Sequence, residues 1–175
     1  MTIGQGFDGV LEAARTGADW AWRKLYDDLA PVVLGYLRGR GASDPEDLTG
    51  EVFLQVVRDL GSFDGDEPAF RSWAFTIAHH RLLDDRRRRG RRPETPVEQV
   101  PERWVYDPSD AVLGALEVKR MINALSPDQA DVVLLRIVGG LTIPEVAKAL
   151  GKRPGAVKAL QRRGLRSLRE RGVPL

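Results

Sequence analysis

The chain has 175 residues, of which 42% are apolar and 30% charged, and its formal charge is only +2. That balance excludes a wholly disordered polymer and suits one ordinary domain or two small ones. The absence of cysteine excludes disulfides, thiolate zinc sites and thiol redox sensing. No apolar run approaches the roughly 18 residues of a membrane span, and residues 1–10 lack the basic-then-apolar pattern of a secretory signal. The expectation is a cytoplasmic protein with no membrane insertion.

Residues 19–38 carry Leu25, Leu29, Val32, Val33, Tyr36 and Leu37 at helical spacing, with Pro31 inside the pattern, where a kink or break is expected. Gly39 and Gly41 end that helix. Ser43 or Asp44 then caps a second one, with Pro45 at its first position and Glu46 and Asp47 in its first turn. Its apolar face is expected from Leu48, Val52, Phe53, Val56, Val57 and Leu60. Residues 42–67 hold eight acids and one Arg, a net −7. A Gly- and Asp-rich loop over 61–68 leads to a third helix near Pro68. That helix is apolar and aromatic first (Phe70, Trp73, Phe75, Ile77, Leu82), then basic, and residues 71–92 net +6.

Four prolines and six acids mark residues 93–117. Its proline-bearing part, residues 93–111, reads as an acidic tether between two domains. Helical spacing resumes with Val112, Leu113, Leu116, Met121, Ile122 and Leu125. Ser126-Pro127-Asp128 restarts a short helix that Gly139-Gly140 ends, and Thr142 with Glu145 forms a capping-box pattern for the next. After Gly151 a last helix runs to about Arg171, and residues 148–171 net +8.

Residues 142–168 therefore have the layout of a helix-turn-helix. With Val157, Leu160, Gly164, Leu165 and Leu168 inward, the outward positions are Arg153, Gly155, Ala156, Lys158, Ala159, Gln161 and Arg162. Arg and Lys reach guanine edges in a major groove and Gln reaches adenine, while Arg163, Arg166 and Arg169 suit phosphates. Trp73 and Phe75 beside Arg81 and the run from Arg86 to Arg89 are a candidate second contact, because bases of separated strands stack on rings while guanidinium groups take the backbone; the alternative for each ring is a place in the core. An enzyme is the first rival: His79, His80, Asp84 and Asp85 have the residue types of a metal site, but nothing else in the chain completes it, so no metal, cofactor or catalytic role is expected. A stand-alone helix-turn-helix regulator with an N-terminal interaction domain is the second rival. It leaves the acidic and aromatic–arginine helices unexplained.

Asp44-Pro45-Glu46-Asp47-Leu48-Thr49-Gly50-Glu51-Val52-Phe53-Leu54, then Phe70-Arg71-Ser72-Trp73-Ala74-Phe75-Thr76-Ile77-Ala78 with the following Arg run, resembles region two of a bacterial RNA polymerase sigma factor of the sigma-70 family. Leu125-Ser126-Pro127-Asp128-Gln129 through Thr142-Ile143-Pro144-Glu145-Val146-Ala147 to Val157-Lys158 is similar to region four. With only these two regions, the chain resembles the extracytoplasmic-function (ECF) subfamily. The resemblance implies an all-α fold with a region-two domain (1–92), a linker (93–111) and a region-four domain (112–175). It implies that Asp44, Glu46, Asp47, Leu48, Glu51, Phe53 and Gln55 meet the β′ clamp helices of core RNA polymerase, and that region four rests on the β flap.

The resemblance also implies that Ser62, Phe63, Asp64, Arg71, Trp73, Phe75, His79, His80, Arg81, Asp84, Arg86 and Arg87 serve the −10 element and its melting as single strands. The loop over 61–67 would hold a flipped-out base. Arg153, Gly155, Ala156, Lys158, Ala159, Gln161, Arg162, Arg163 and Arg166 would read the −35 element as duplex. An anti-sigma factor is admitted as a further partner. The chain departs from its relatives at His79 and His80, where Arg and Asn are usual, and in the turn Lys152-Arg153-Pro154.

Overall fold

The computed structural model describes residues 3–91 and 121–171. Among these the chain is helical throughout: α1 (Phe7–Arg15), α2 (Asp19–Gly39), α3 (Pro45–Asp59), a 3-10 turn (Leu60–Ser62), α4 (Glu67–Arg91), α5 (Pro127–Ile137), α6 (Ile143–Leu150) and α7 (Pro154–Arg169). The acidic tether over 93–111 and the helical spacing from Val112 to Leu116 lie outside the described residues.

Local sequence sets most of the helix ends. Asp44 caps α3 by accepting from the Asp47 amide at 2.8 Å, with Pro45 at the first position. Ser126 and Gln129 form a reciprocal capping box at α5. At α6 the Glu145 carboxylate accepts from the Thr142 amide at 2.5 Å. Gly151 ends α6 in the left-handed region at φ 61°, where a side chain would be strained.

The expected break in α2 is absent: the helix runs on through Pro31. Pro31 is solvent-exposed, so the carbonyl it deprives of a partner can turn to water. α1 adds a helix ahead of the expected ones. Its Phe7, Val10, Leu11 and Ala14 are buried at i, i+3, i+4, i+7 spacing against α2.

α1 to α4 pack in sequence around Leu25, Leu29, Val33, Leu37, Val52, Val56, Phe70, Ala74 and Leu82, all buried. α5, α6 and α7 form a second small core around Ala130, Val133, Leu135, Val146 and Val157. The two halves meet along a seam where α6 lies on α4 and the end of α2 faces α5. Close approach is possible there because glycine lines it. A Cβ on Gly39 would lie 3.0 Å from the Leu134 side chain, and one on Gly139 would lie 3.1 Å from the Phe75 ring.

Inside the seam sits a buried polar cluster. The Asp131 carboxylate accepts from Arg40 Nε at 2.5 Å and Nη2 at 3.3 Å, and from the Tyr36 hydroxyl at 2.9 Å. His79 Nδ1 lies 2.9 Å from the same hydroxyl oxygen. The phenol has one proton and gives it to the carboxylate, so the Nδ1–H of His79 donates to the phenol oxygen. Arg40 and Asp131 side chains are each only 7% exposed. Removing one partner of such a pair leaves a buried charge uncompensated. Asp131→Ala is therefore expected to destabilise the chain by about 3–5 kcal/mol in urea unfolding. Asp131→Asn, which keeps an acceptor, should cost less.

Candidate nucleic-acid and polymerase interfaces

The turn between α6 and α7 is held by the Lys152 amide on the Ala147 carbonyl at 2.9 Å and by a Lys152–Asp128 ion pair at 2.9 Å. α7 buries Val157, Leu160, Gly164 and Leu168. Gly164 faces α5, where a Cβ would lie 3.0 Å from Val133, so α7 is seated on α5 as well as on α6. The opposite face is open. Arg153, Gly155, Ala156, Lys158, Arg162, Arg163 and Arg166 are exposed, and Ala159 and Gln161 are half-buried. Among the described residues none of these bases is in an ion pair. Lys158, Gln161, Arg162 and Arg166 also line a groove of about 540 Å³ with Ile143 and Leu165.

The arginines of α4 are used differently. Arg71 pairs with Asp28 at 2.8 Å, both mostly buried. Arg81 donates to Gln55 at 2.8 Å and faces Glu51 at 3.8 Å. Arg86 donates to the Arg40 carbonyl at 2.6 Å and Arg89 to the Gly41 carbonyl at 3.2 Å, so both satisfy carbonyls at the end of α2. Arg87 pairs with Asp84 at 3.2 Å on the surface. Burial pushes the Asp85 carboxyl up, but hydrogen bonds from Ser43 and the charges of Arg89 and Arg88 hold it below the usual range.

The aromatic residues divide too. Phe75 is fully buried, edge-on to Tyr36 with ring centres 5.8 Å apart, and faces the seam. Trp73 is half-buried and stacked on Phe63 at 5.0 Å. His80, Asp84 and Arg87 share an exposed face of α4 beyond Trp73 and Ile77. Ser62 and Asp64 are exposed in the loop before α4. His79 turns inward and its ring nitrogen is taken by Tyr36. Among the described residues no three His, Asp or Glu side chains gather as a metal site.

On α3, Asp44 caps the helix, and Leu48 and Phe53 are buried. Glu46 is exposed, and its hydrogen bond from Arg38 holds its carboxyl below the usual range. Gln55 donates to Asp59 at 2.5 Å, and Glu51 lies within 4.0 Å of Arg88. The outward face instead carries Asp47, Leu54 and Val57, with Leu54 59% and Val57 51% exposed. Val57 was expected in the core; it is turned away from Val52 and Val56 and exposed. Leu54 is not among the residues expected at this surface. The spacing of Gly50, Leu54 and Val57 was the available signal: a second, weaker stripe one-half turn from the core face. Tyr26 of α2, 47% exposed, packs on Phe53 with ring centres 4.7 Å apart.

Comparison with known proteins agrees with both halves. The family model for sigma-70 region 2 matches residues 25–92, and that for sigma-70 region 4 matches residues 115–168. The ECF RNA polymerase sigma factor SigD of Mycobacterium tuberculosis is 31% identical over 182 residues, covering 97% of this chain and 86% of SigD. The chain belongs to the ECF RNA polymerase sigma factors. The ECF sigma factor BldN of Streptomyces coelicolor is 35% identical over 166 residues, covering 91% of this chain, which spans 63% of the length of BldN. Two solved structures share the fold: CnrH, in complex with the cytosolic domain of CnrY (TM-score 0.69, 24% identity, 92% of this chain and 93% of CnrH), and RpoE of Bartonella quintana, in complex with the anti-sigma factor NepR (TM-score 0.64, 21% identity, 85% and 94%). The chain is thus a promoter-directing sigma factor, and among its described residues no helix is long and apolar enough to cross a membrane.

The seam of this sigma factor carries a pH dependence. Burial lowers the His79 pKa from the ordinary 6.5, partly opposed by the Asp131 charge; His80, Arg40 and Arg86 lower it further. The folded chain therefore holds the neutral imidazole, while the unfolded chain binds the extra proton more readily. The stabilisation from His79 is full above the ordinary pKa and is lost as pH falls through that range toward the lowered value. Urea unfolding should show falling stability from pH 7.5 to 5.5, and His79→Gln should flatten that part of the profile.

Proposed function

We propose that this sigma factor reads the −35 element as duplex with α7, engages the −10 element with the loop before α4 and the outer face of α4, and docks on core polymerase through α3. The observation that carries the reading is the division of α7. Its apolar residues are committed to α5 and α6, which leaves Arg153, Lys158, Arg162, Arg163 and Arg166 with no ion-pair partner among the described residues and open to a polyanion. A helix of this kind fits the major groove. Its bases displace counterions from phosphates, so binding weakens steeply with salt.

The partner surfaces follow from charge and exposure. Asp47, Leu54 and Val57 on α3 form an acidic–apolar strip suited to the β′ clamp helices, with Glu51 at its edge. Trp73, His80, Asp84 and Arg87 face the −10 strand, and Phe75, His79, Arg71 and Arg86 support that face from behind. Region four rests on the β flap in this reading. Since clamp helices and flap are separate places on the polymerase, the seam between the halves opens on loading. Residues 92–120 contain enough chain for this, at most roughly 100 Å when extended. An anti-sigma factor is a further partner on this reading, as NepR is for RpoE of Bartonella quintana.

Mutations should separate the two roles. Lys158→Ala and Arg162→Ala are each expected to weaken holoenzyme binding to promoter duplex by about 5- to 100-fold, the worth of a good base contact. A residue that instead contacts phosphate should reduce the salt slope by about one. Affinity for core polymerase should stay within twofold. Leu54→Ala with Val57→Ala should do the reverse, weakening core binding first. Equal loss of both activities in either set would count against the assignment.

A further inference from the structure

The segment from the 3-10 turn to α4 carries Ser62, Phe63 and Asp64, with Gly61, Ser62, Asp64 and Asp66 exposed. Its own contacts are few. The Phe63 amide donates to Leu60 at 3.1 Å, the Ser62 hydroxyl to the Asp59 carbonyl at 2.8 Å, and Asp66 accepts from the Ala69 amide at 2.9 Å. A short polar loop held by so little would ordinarily sample several shapes.

Here the shape is imposed from outside, by residues 3–15, to which the proposed function gives no role. Arg15, in the last turn of α1, donates through Nη2 to the Phe63 carbonyl. At the far end of the loop both oxygens of Glu67 are engaged, by the Ile3 amide at 2.7 Å and the Gly4 amide at 2.8 Å. Phe7 of α1 meets Phe70 at 5.6 Å, Phe70 meets Phe63 edge-on at 5.5 Å, and Phe63 lies nearly parallel to Trp73, 5.0 Å away at 23°. The backbone at Gly65 crosses this stack so closely that a Cβ would lie 3.1 Å from the Phe63 ring and 2.9 Å from Ala69. Both ends of the loop are therefore tied to the N-terminal segment, while the Phe63 ring is held by Phe70 and Trp73 of α4, with Phe7 of α1 behind Phe70.

We propose that residues 3–15 are the positioning element of the −10 loop, with Arg15 and Glu67 as positioning residues that hold Phe63 and Asp64 ready for one unpaired base. This rests on the −10 assignment made above. A flexible loop must be ordered when the base arrives, which weakens binding and blurs discrimination between bases; a loop already ordered by α1 avoids that loss. Arg15 acts only through the Phe63 carbonyl and need not touch DNA.

The test uses full-length chain in complex with core polymerase. The probe is the non-template −10 strand of a promoter that this holoenzyme transcribes, offered with each of the four bases in turn at the flipped position. Arg15→Met keeps the aliphatic stem but removes the donors, and Glu67→Ala removes the acceptor. Each should weaken cognate-strand binding about fivefold, on the order of one charge-assisted hydrogen bond partly exposed to water. Each should also narrow the preference for the cognate base, while affinity for core polymerase and for −35 duplex stays within twofold. Arg15→Lys, which can still donate to the carbonyl, should restore both.

Unchanged strand binding and base preference in both Arg15→Met and Glu67→Ala would overturn the positioning role. So would a parallel fall in core binding and thermal midpoint that Arg15→Lys does not rescue, since that marks a general contribution to folding. A wild-type holoenzyme that binds the strand with no base preference would instead overturn the −10 assignment, and this role with it.

Discussion

The carboxylate of Asp131 lies almost out of reach of water where the two halves of the chain meet, and Arg40, Tyr36 and His79 are arranged around it. Taking a carboxylate and a guanidinium out of water is costly, and only a nearly complete set of partners offsets the cost. Here the partners come from both halves: Tyr36 and Arg40 from α2, His79 from α4, and Asp131 from α5. Such a cluster contributes direction more than net stability, because a shifted seam would strand a buried charge. Burial raises the Tyr36 pKa well above its ordinary value, and the Asp131 charge adds to that. The phenol thus stays protonated and keeps its proton on Asp131. The geometry of this cluster determines which side of α4 is covered, with Phe75 and His79 inward, and which side is left for Trp73, His80 and Arg87.

The distribution of arginine follows the same logic. α4 and α7 look alike as basic blocks, yet their guanidinium groups do different work. Those of α4 are largely spent inside the protein, on Asp28, on Glu51 and Gln55, and on the carbonyls that end α2. Those of α7 face solvent along the helix. Net charge by block cannot distinguish the two cases, because it counts a guanidinium equally whether its partner is a phosphate or the protein's own backbone. The bases of α4 are thus as much a part of the region-two architecture as of its charge.

Local chemistry made much of the fold legible. Proline at the first helical position, the caps at Asp44 and Ser126, the Thr142–Glu145 pair and the left-handed Gly151 mark helix ends that need no knowledge of the rest of the chain. The helix-turn-helix was legible for the same reason, since its inward and outward residues alternate at helical period. What escaped depends on contacts far apart in sequence. Nothing local to Phe75 or His79 says that α5 and α6 will cover them. Val57 fits the apolar pattern of α3 but falls on its outer side, and Leu54 beside it is exposed by the same turn of the helix. Pro31 does not end α2, and its exposed position leaves the carbonyl it deprives of a partner open to water. α1 did carry the periodic signal, in nine residues that are too few to be a stable helix alone and that acquire their stability from α2.

These features describe a protein that acts as part of a larger machine: a recognition helix with an unspent positive face, an acidic–apolar strip on α3, and two halves joined by a long stretch of chain. The most direct measurement is run-off transcription with purified core polymerase on genomic fragments, with and without this chain, beginning with the DNA upstream of its own gene. The account predicts discrete transcripts that start at defined positions only when the chain is present. Identical transcripts in its presence and absence, or specific DNA binding by the chain alone with no effect on initiation, would contradict it.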